Sequence, residues 1–408
     1  VTAPILLGYI CAALLLQVGV AIAVAFRHRR KPAAGAPVAG SPTTAQVSST
    51  GGSAWREFRV ARREFEDSAR TQCSFYLEPV DGASLPPFTP GQFLTVAIPV
   101  SPERAATRCY SLSDRPNPKN YRITVKRIPA PGDRPSAPPG VSSNHFHDRV
   151  HEGDVLKVKA PSGHFCVDFN ANVPVVLIAG GVGITPMMSM LQWCLEAQPE
   201  RTVHLYYGLR NSHEHAFKAS LEELARSHPR FHLNVIYSKP GADDQQGRDF
   251  HHVGHVNIEL LRRTLPHGRH QFYVCGPAAM MESLIPALSR WGVPAQDIHY
   301  EAFGPASVRS ARTADTAPNA TPAIGVEIRF RRSGRTLVWS GQDENLLDFA
   351  ERNGVSIDSG CRSGSCGTCE TKLISGTVRY KHTPDHDVAA GCCLLCVGTP
   401  QSALVLEA

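Results

Sequence analysis

The chain has 408 residues, 42 Lys and Arg against 36 Asp and Glu for a net charge of +6, and an apolar content of 42%, ordinary for globular protein. That length accommodates two or three domains. The positive charge is spread along the chain with no basic stripe interleaved with aromatics, which argues against a nucleic-acid partner, and the twelve cysteines do not form a disulfide framework, which points to a reducing compartment.

The first predicted element is apolar. Ile5 to Phe26 runs 22 residues without a charge, and at ~1.5 Å per residue it spans ~33 Å, enough for a bilayer core. Val-Thr-Ala-Pro precedes it and Arg27-His-Arg-Arg-Lys31 follows it. A cleavable signal peptide has the opposite charge layout and a shorter apolar core. Residues 1–31 are therefore expected to form one transmembrane helix with a basic flank. The positive-inside rule puts the rest in the cytoplasm, giving a single-pass protein of the inner or plasma membrane. Residues 32–54 are rich in Ala, Gly, Ser, Thr and Pro and read as a flexible linker; 305–322 has the same character.

Between the linkers two textures follow one another. Residues 55–170 carry short alternating runs, such as Gln92-Phe-Leu-Thr-Val-Ala-Ile and Tyr121-Arg-Ile-Thr-Val-Lys, broken by Pro and Gly. They predict an antiparallel β-barrel. In 171–304, Val175-Val-Leu-Ile reads as a buried strand and 186–196 as an amphipathic helix. Val203-His-Leu-Tyr-Tyr and Phe272-Tyr-Val-Cys read as further strands, so this part is expected to be an α/β domain with a parallel sheet. Residues 323–408 read as an α+β domain, with a first hairpin turning at Ser333-Gly334 and one short helix over 345–353. The expected architecture is multidomain.

The motifs fall on these parts in order. The barrel holds Gly91-Gln-Phe93 and Arg108-Cys-Tyr-Ser111. A guanidinium neutralises a phosphate with fixed geometry, a tyrosine ring stacks on a flat heterocycle, and a hydroxyl hydrogen-bonds a ring nitrogen. Gly140, Ser142 and Ser143 stand at a helix start, where free backbone N–H groups face a phosphate; a capped surface helix reads the same way. After the buried strand comes Ala179-Gly-Gly-Val-Gly-Ile-Thr-Pro186. Its glycines let backbone approach a pyrophosphate, although it is not the G-x-G-x-x-G fingerprint. Tyr207-Gly-Leu-Arg210 and Cys275-Gly276-Pro277 each follow a strand.

Near the C-terminus Cys361, Cys366 and Cys369 show the spacing C-x4-C-x2-C, with Cys396 further on. That is the ligand spacing of a plant-type [2Fe–2S] cluster. Cys392 and Cys393 are rivals for the fourth ligand. A structural zinc site would pair two close knuckles, and only one close pair is present. His251, His252 and His255 read as a polar loop, and His213 and His215, flanking Glu214, as surface residues.

These motifs resemble those of the ferredoxin–NADP reductase superfamily. Over 55–305 the chain is similar to the reductase part of flavohaemoglobins, through Arg108-Cys-Tyr-Ser-Leu-Ser, Tyr121 to Arg127, Ser143 to Asp148, Gly180 to Pro186 and His299-Tyr-Glu-Ala-Phe-Gly-Pro305. The 54 residues ahead of the barrel do not fit a globin. The order flavin, nucleotide, C-terminal ferredoxin resembles phthalate dioxygenase reductase, which binds FMN, and hybrid-cluster-protein reductase. The Gly140–Ser143 and His147-Asp148 pattern is closer to members that bind FAD.

The resemblance implies a β-grasp ferredoxin domain and FAD, NADH or NADPH, and a [2Fe–2S] cluster as cofactors. It implies cofactor contacts from Phe93, Arg108, Tyr110, Ser111, Val125, Lys126, Gly140, Ser142, Ser143, Gly180, Gly181, Gly183, Ile184, Thr185, Pro186, Arg210, Cys275, Gly276, Pro277 and Phe303. Ser111 beside the flavin and Cys275 beside the nicotinamide would be the catalytic pair, and Cys361, Cys366, Cys369 and Cys396 the cluster ligands. Fitting Cys396 before Val397, with Pro400 four residues on, follows the family's pattern. The implied function is a NAD(P)H-dependent iron–sulfur flavoprotein reductase, held at the membrane by the expected anchor, that passes electrons to a partner protein, an oxygenase or other redox acceptor. Rivals are a self-contained NADH:quinone or oxygen oxidoreductase and a redox sensor. Glu214 is expected to repel a 2′-phosphate and so favour NADH; Lys239 opposes it.

Overall fold

Alternation of apolar residues builds the first sheet. The computed structural model describes residues 55–101, 104–130, 139–169, 172–301, 303, 324–362, 364, 366–380, 384 and 386–408. Strands β1 (Arg56–Phe65), β2 (Gln72–Pro79), β3 (Phe93–Ser101), β4 (Arg104–Ser111), β5 (Tyr121–Lys126) and β6 (Val155–Val158) pair antiparallel in the order β4-β3-β6-β1-β2-β5. Leu112, just past β4, bridges Ile123 of β5 and closes the sheet into a barrel. Cys73, Phe75 and Leu77 of β2 and Leu94, Val96 and Ile98 of β3 fill its interior at period two. Helix α1 (Val141–Arg149) adds Phe146, whose ring meets Phe75 edge-on at 5.0 Å.

The second sheet is parallel: β7 (Val175–Gly180), β8 (Val203–Leu209), β9 (Phe231–Tyr237), β10 (His252–Val253), β11 (Gln271–Cys275) and β12 (Ile298–Glu301), in the order β10-β9-β8-β7-β11-β12. Every residue of β7 is buried, because helices cover both faces. Val175, Leu177 and Ala179 pack with α2 (Ile184–Ala197) and α3 (Lys218–Ser227). Val176 and Ile178 pack with α4 (Ile258–Thr264) and α5 (Ala278–Arg290). Strand order reverses at β7, and the crevice beyond the strands' carboxyl ends at such a point is where ligands bind.

The third part is α+β. It contains β13 (Val326–Phe330), β14 (Arg335–Trp339), β15 (Glu370–Ser375), β16 (Val378–Tyr380), β17 (Cys392–Leu394), β18 (Gly398–Pro400), β19 (Leu404–Leu406) and helix α6 (Leu346–Arg352). The main sheet runs β14-β13-β19-β15-β17, with β13 and β19 parallel and the other pairs antiparallel. The Asn345 side chain caps α6 by accepting from the Asp348 N–H at 2.9 Å.

Among the described residues no helix is long and apolar enough to cross a membrane. The expected anchor at 1–31 and the linkers at 32–54 and 305–322 lie outside the described residues.

Candidate active site

The loop after β7 is shaped by backbone contact. A Cβ on Gly180 would lie 2.6 Å from Pro277 Cδ, and one on Gly183 would run into Cys275 O and come within 2.9 Å of Gly276 N. A Cβ on Gly276 would lie 3.0 Å from Gly180 Cα. The two glycine segments therefore touch main chain to main chain. Gly181, at φ +53°, faces open space with only Lys126 Nζ nearby, 3.8 Å from where its Cβ would be. Helix α2 starts at Ile184 with no side-chain cap and no acid in its first turn, so its positive end faces that opening. Ile184, Thr185 and Pro186 are buried, and the Thr185 hydroxyl donates to Val182 O at 3.1 Å.

On the barrel, Ser111 is paired in register with Phe93, whose buried ring fills the space a Cβ on Gly163 would need. The half-buried Tyr110 ring stands edge-on to Phe146 at 5.0 Å, and burial pushes its phenol pKa up. The Arg108 guanidinium donates to Thr107 O at 2.7 Å. Gly140 precedes α1 with no side-chain cap, and a Cβ there would press on Ser143 Oγ at 2.6 Å and Ile128 Cβ at 2.9 Å. The Ser142 hydroxyl is buried without a partner. A buried orphan hydroxyl beside uncapped helix N–H groups fits a phosphate. His147 ties α1 to the barrel, with Nε2 2.9 Å from Val125 O.

Barrel and parallel sheet meet at a carboxylate. The Ser111 hydroxyl donates to Glu301 Oε2 at 3.5 Å. Glu301 ends β12 in register with Cys275, the last residue of β11. The Cys275 thiol is fully buried, and burial first, then the charge of Glu301, pushes its pKa well up. It is a neutral thiol in this setting. Phe303 is 40% exposed, two residues past Glu301. Glu301 lies in the same His299–Pro305 run as Phe303, and its signal in the sequence is an acid at the carboxyl end of a strand, which the structure sets beside Cys275.

In the third part the four expected thiols sort into two pairs. The Cys361 N–H donates to Cys366 Sγ at 3.2 Å and the Cys366 N–H to Cys361 Sγ at 3.3 Å. Cys369 and Cys396 are buried and hydrogen-bond through their side chains. Among the described residues no three His, Cys, Asp or Glu side chains converge on one ion. Two pairs suit two irons with two thiolates each; a zinc site would gather all four about one centre. Cys392 and Cys393 lie in the β15–β17 ladder opposite Lys372 and Thr371. Arg362, at φ +58°, fastens the loop to α6 by bonds to Asp348 at 3.2 Å and Glu351 at 2.5 Å.

Comparison with known proteins supplies the family. Models match in chain order: an oxidoreductase FAD-binding domain over 75–166, an oxidoreductase NAD-binding domain over 177–284, and a 2Fe–2S iron–sulfur cluster binding domain over 329–401. The chain is an oxidoreductase of the ferredoxin reductase type. The reductase is 40% identical over 255 residues to a flavohemoprotein of Halalkalibacterium halodurans, covering 62% of this chain and 61% of that protein. Among solved structures it is similar to the flavohem-like FAD/NAD-binding domain of a nitric oxide dioxygenase from Vibrio cholerae. That match has 32% identity and a TM-score of 0.54, covering 61% of this chain and 98% of the other. It is also similar to phthalate dioxygenase reductase, at 29% identity and a TM-score of 0.53, covering 87% of this chain and 98% of the other. The reductase thus spans about three-fifths of the length of the curated relatives it matches. Its cofactors are FAD, NAD(P)H and a [2Fe–2S] cluster.

Two readings of the reductase's nucleotide side need correction. Glu214 is not a free charge: Lys126 Nζ donates to its Oε2 at 3.1 Å, and Arg210 Nη1 lies 3.8 Å from Oε1. His215 is buried, with Nδ1 2.8 Å from the Tyr237 hydroxyl, because the turn after β8 folds the ring inward. His213 is exposed, as expected. His251 accepts the Val235 N–H at 2.9 Å, an edge contact of the sheet. Arg210 and Lys239 are both exposed and joined by the Lys239 N–H donating to Arg210 O at 2.9 Å.

Proposed function

We propose that this reductase takes electrons from NADH and passes them through FAD and the [2Fe–2S] cluster to a partner redox protein at the cytoplasmic face of a membrane. The observation that carries this reading is the junction of Ser111, Glu301 and Cys275, made by barrel and parallel sheet together, in the same compact unit as two pairs of thiols. When bound, the flavin converts a two-electron hydride donor into a source of single electrons for the cluster.

The chain's residues hold and orient these groups. Arg108, with the α1 start at Gly140, Ser142 and Ser143, takes the FAD phosphates. Tyr110, Phe93, Val125 and Phe303 would form the wall that takes its ring system. The Ser111 hydroxyl is the donor toward the hydride-accepting side. The loop of Gly180, Gly181, Gly183, Ile184, Thr185 and Pro186, with Lys126 over it, takes the nucleotide pyrophosphate. Arg210 serves the ribose end, and Cys275, Gly276 and Pro277 serve the nicotinamide. Cys361, Cys366, Cys369 and Cys396 would hold the two irons.

Phthalate dioxygenase reductase is described as a modular structure for electron transfer from pyridine nucleotides to [2Fe–2S], which supports a similar route here. The uncharged run Ile5–Phe26 followed by Arg27–Lys31 supports the anchor. Substitution at the fourth ligand tests the assignment. Cys396→Ser is expected to abolish the cluster's EPR signal and the reduction of a one-electron protein acceptor, whereas Cys392→Ser and Cys393→Ser are expected to retain both. Loss of the cluster in Cys393→Ser, with retention in Cys396→Ser, overturns it.

A further inference from the structure

The cysteine inside the flavin motif faces the cluster loop rather than the flavin side. Cys109 occupies the variable position between Arg108 and Tyr110 on β4, where side chains alternate. Tyr110 packs against the barrel interior. Cys109 points the other way, to the cluster loop. A Cβ on Gly360 would lie 2.8 Å from Cys366 Sγ and 3.1 Å from Cys109 Sγ, so glycine there leaves room for both sulfurs. The two thiols are within hydrogen-bonding reach of each other. Behind Cys109 stands the buried Thr95, its register partner on β3, with Oγ1 3.6 Å from Cys109 Sγ. Thr368 Oγ1 is 3.2 Å from Cys366 Sγ on the ferredoxin side.

We propose that Cys109 is a positioning residue for electron transfer: a hydrogen-bond donor, supplied by the flavin barrel, to the cluster-bound sulfur of Cys366. The proposal rests on Cys366 being a cluster ligand. A metal-bound thiolate has no proton and can only accept. Because the Cys366 thiolate can only accept, the Cys109 S–H is directed to it, and the Thr95 hydroxyl, 3.6 Å from Cys109 Sγ, can donate to that sulfur from behind. A hydrogen bond onto a ligating sulfur favours the more negative, reduced cluster and raises its potential. The donor comes from a different domain than the ligands. The cluster is therefore tuned to accept an electron where its loop lies against β4. Arg108 and Tyr110 are neighbours in the chain, so one strand addresses both redox groups.

The test uses the full-length holoprotein and two variants, Cys109→Val, which keeps volume without a donor, and Cys109→Ser, which keeps a donor. EPR-monitored redox titration gives the cluster potential, and single-turnover stopped flow gives transfer from reduced flavin to cluster. Cys109→Val is expected to lower the potential, alter the EPR line shape and slow transfer about 10- to 100-fold, the usual scale for losing an outer partner of a metal site. Cys109→Ser is expected to restore most of each. Flavin and iron contents report folding. If Cys109→Val sheds its iron, Thr95→Val provides the reading, with a smaller shift in the same direction. Wild-type potential, line shape and transfer rate in Cys109→Val, or in Thr95→Val if that variant must be used, overturn the proposal. Absence of iron from the unmodified protein instead overturns the ligand assignment on which it rests.

Discussion

Lys126 and Arg210 share one carboxylate, and that changes how the nucleotide is chosen. On the proposed reading, Glu214 would favour NADH by engaging Arg210, the cation a 2′-phosphate would use, rather than by acting as a bare negative charge. The pair is exposed on the Arg210 side and is worth ~0.5–1 kcal/mol after solvent screening. Glu214→Gln is therefore expected to lower the ratio of kcat/KM for NADH over NADPH by about 2- to 5-fold. Steady-state kinetics with both nucleotides measures it; an unchanged or raised ratio contradicts it. Glycines were the most legible residues in the sequence, because main-chain contact at Gly180, Gly183 and Gly276 excludes any side chain. Glu301, Cys109 and the burial of His215 were not legible. Each depends on a contact with another strand or domain, and local pattern carries no record of such contacts.

At the scale of elements, strand β8 adds a pH dependence. Its His204 is buried and stacked on His232 of β9, with ring centroids 4.7 Å apart, and His270 stands edge-on at 6.0 Å. Burial, then the two neighbouring imidazoles, bring the His204 pKa down to about 4. Burial, then the charge of Lys218, brings that of His215, just past the strand, down to about 3. Both are neutral when folded, from an ordinary value of 6.5. Above pH 6.5 neither state binds the proton and stability is full. As pH falls below that, the unfolded chain gains protons that the folded chain refuses, and stability is lost until the folded pKa is reached. At about pH 5.5 each histidine costs about 1 kcal/mol. The apparent Tm should fall between pH 7 and 4.5, and His204→Phe, which keeps a stacked ring, should flatten the fall. An equally steep fall in His204→Phe contradicts this. The parallel strands were legible as apolar runs, whereas the helix expected over 186–196 extends over Ile184–Ala197. Pro186 looks like a start signal, yet it is tolerated within a first turn.

At the scale of the whole molecule, the proposed anchor and linker would set where electrons are delivered. If residues 32–54 form the flexible linker their composition predicts, its reach of roughly 25–30 Å would hold the cluster in a thin layer at the membrane face and raise its effective concentration for a membrane-bound acceptor. Deleting residues 1–31 should leave NADH–ferricyanide activity unchanged and remove most electron delivery to acceptors in native membranes. Equal delivery by the truncated chain at the same bulk concentration would point to a soluble partner. The most direct measurement is an anaerobic titration of the purified full chain with NADH, followed by flavin absorbance and by EPR of the iron–sulfur centre. Electron passage from nucleotide through FAD to the cluster predicts about one FAD and two irons per chain, with the cluster signal appearing as NADH is added. Flavin that bleaches while the cluster stays oxidised, or zinc in place of iron, would contradict it.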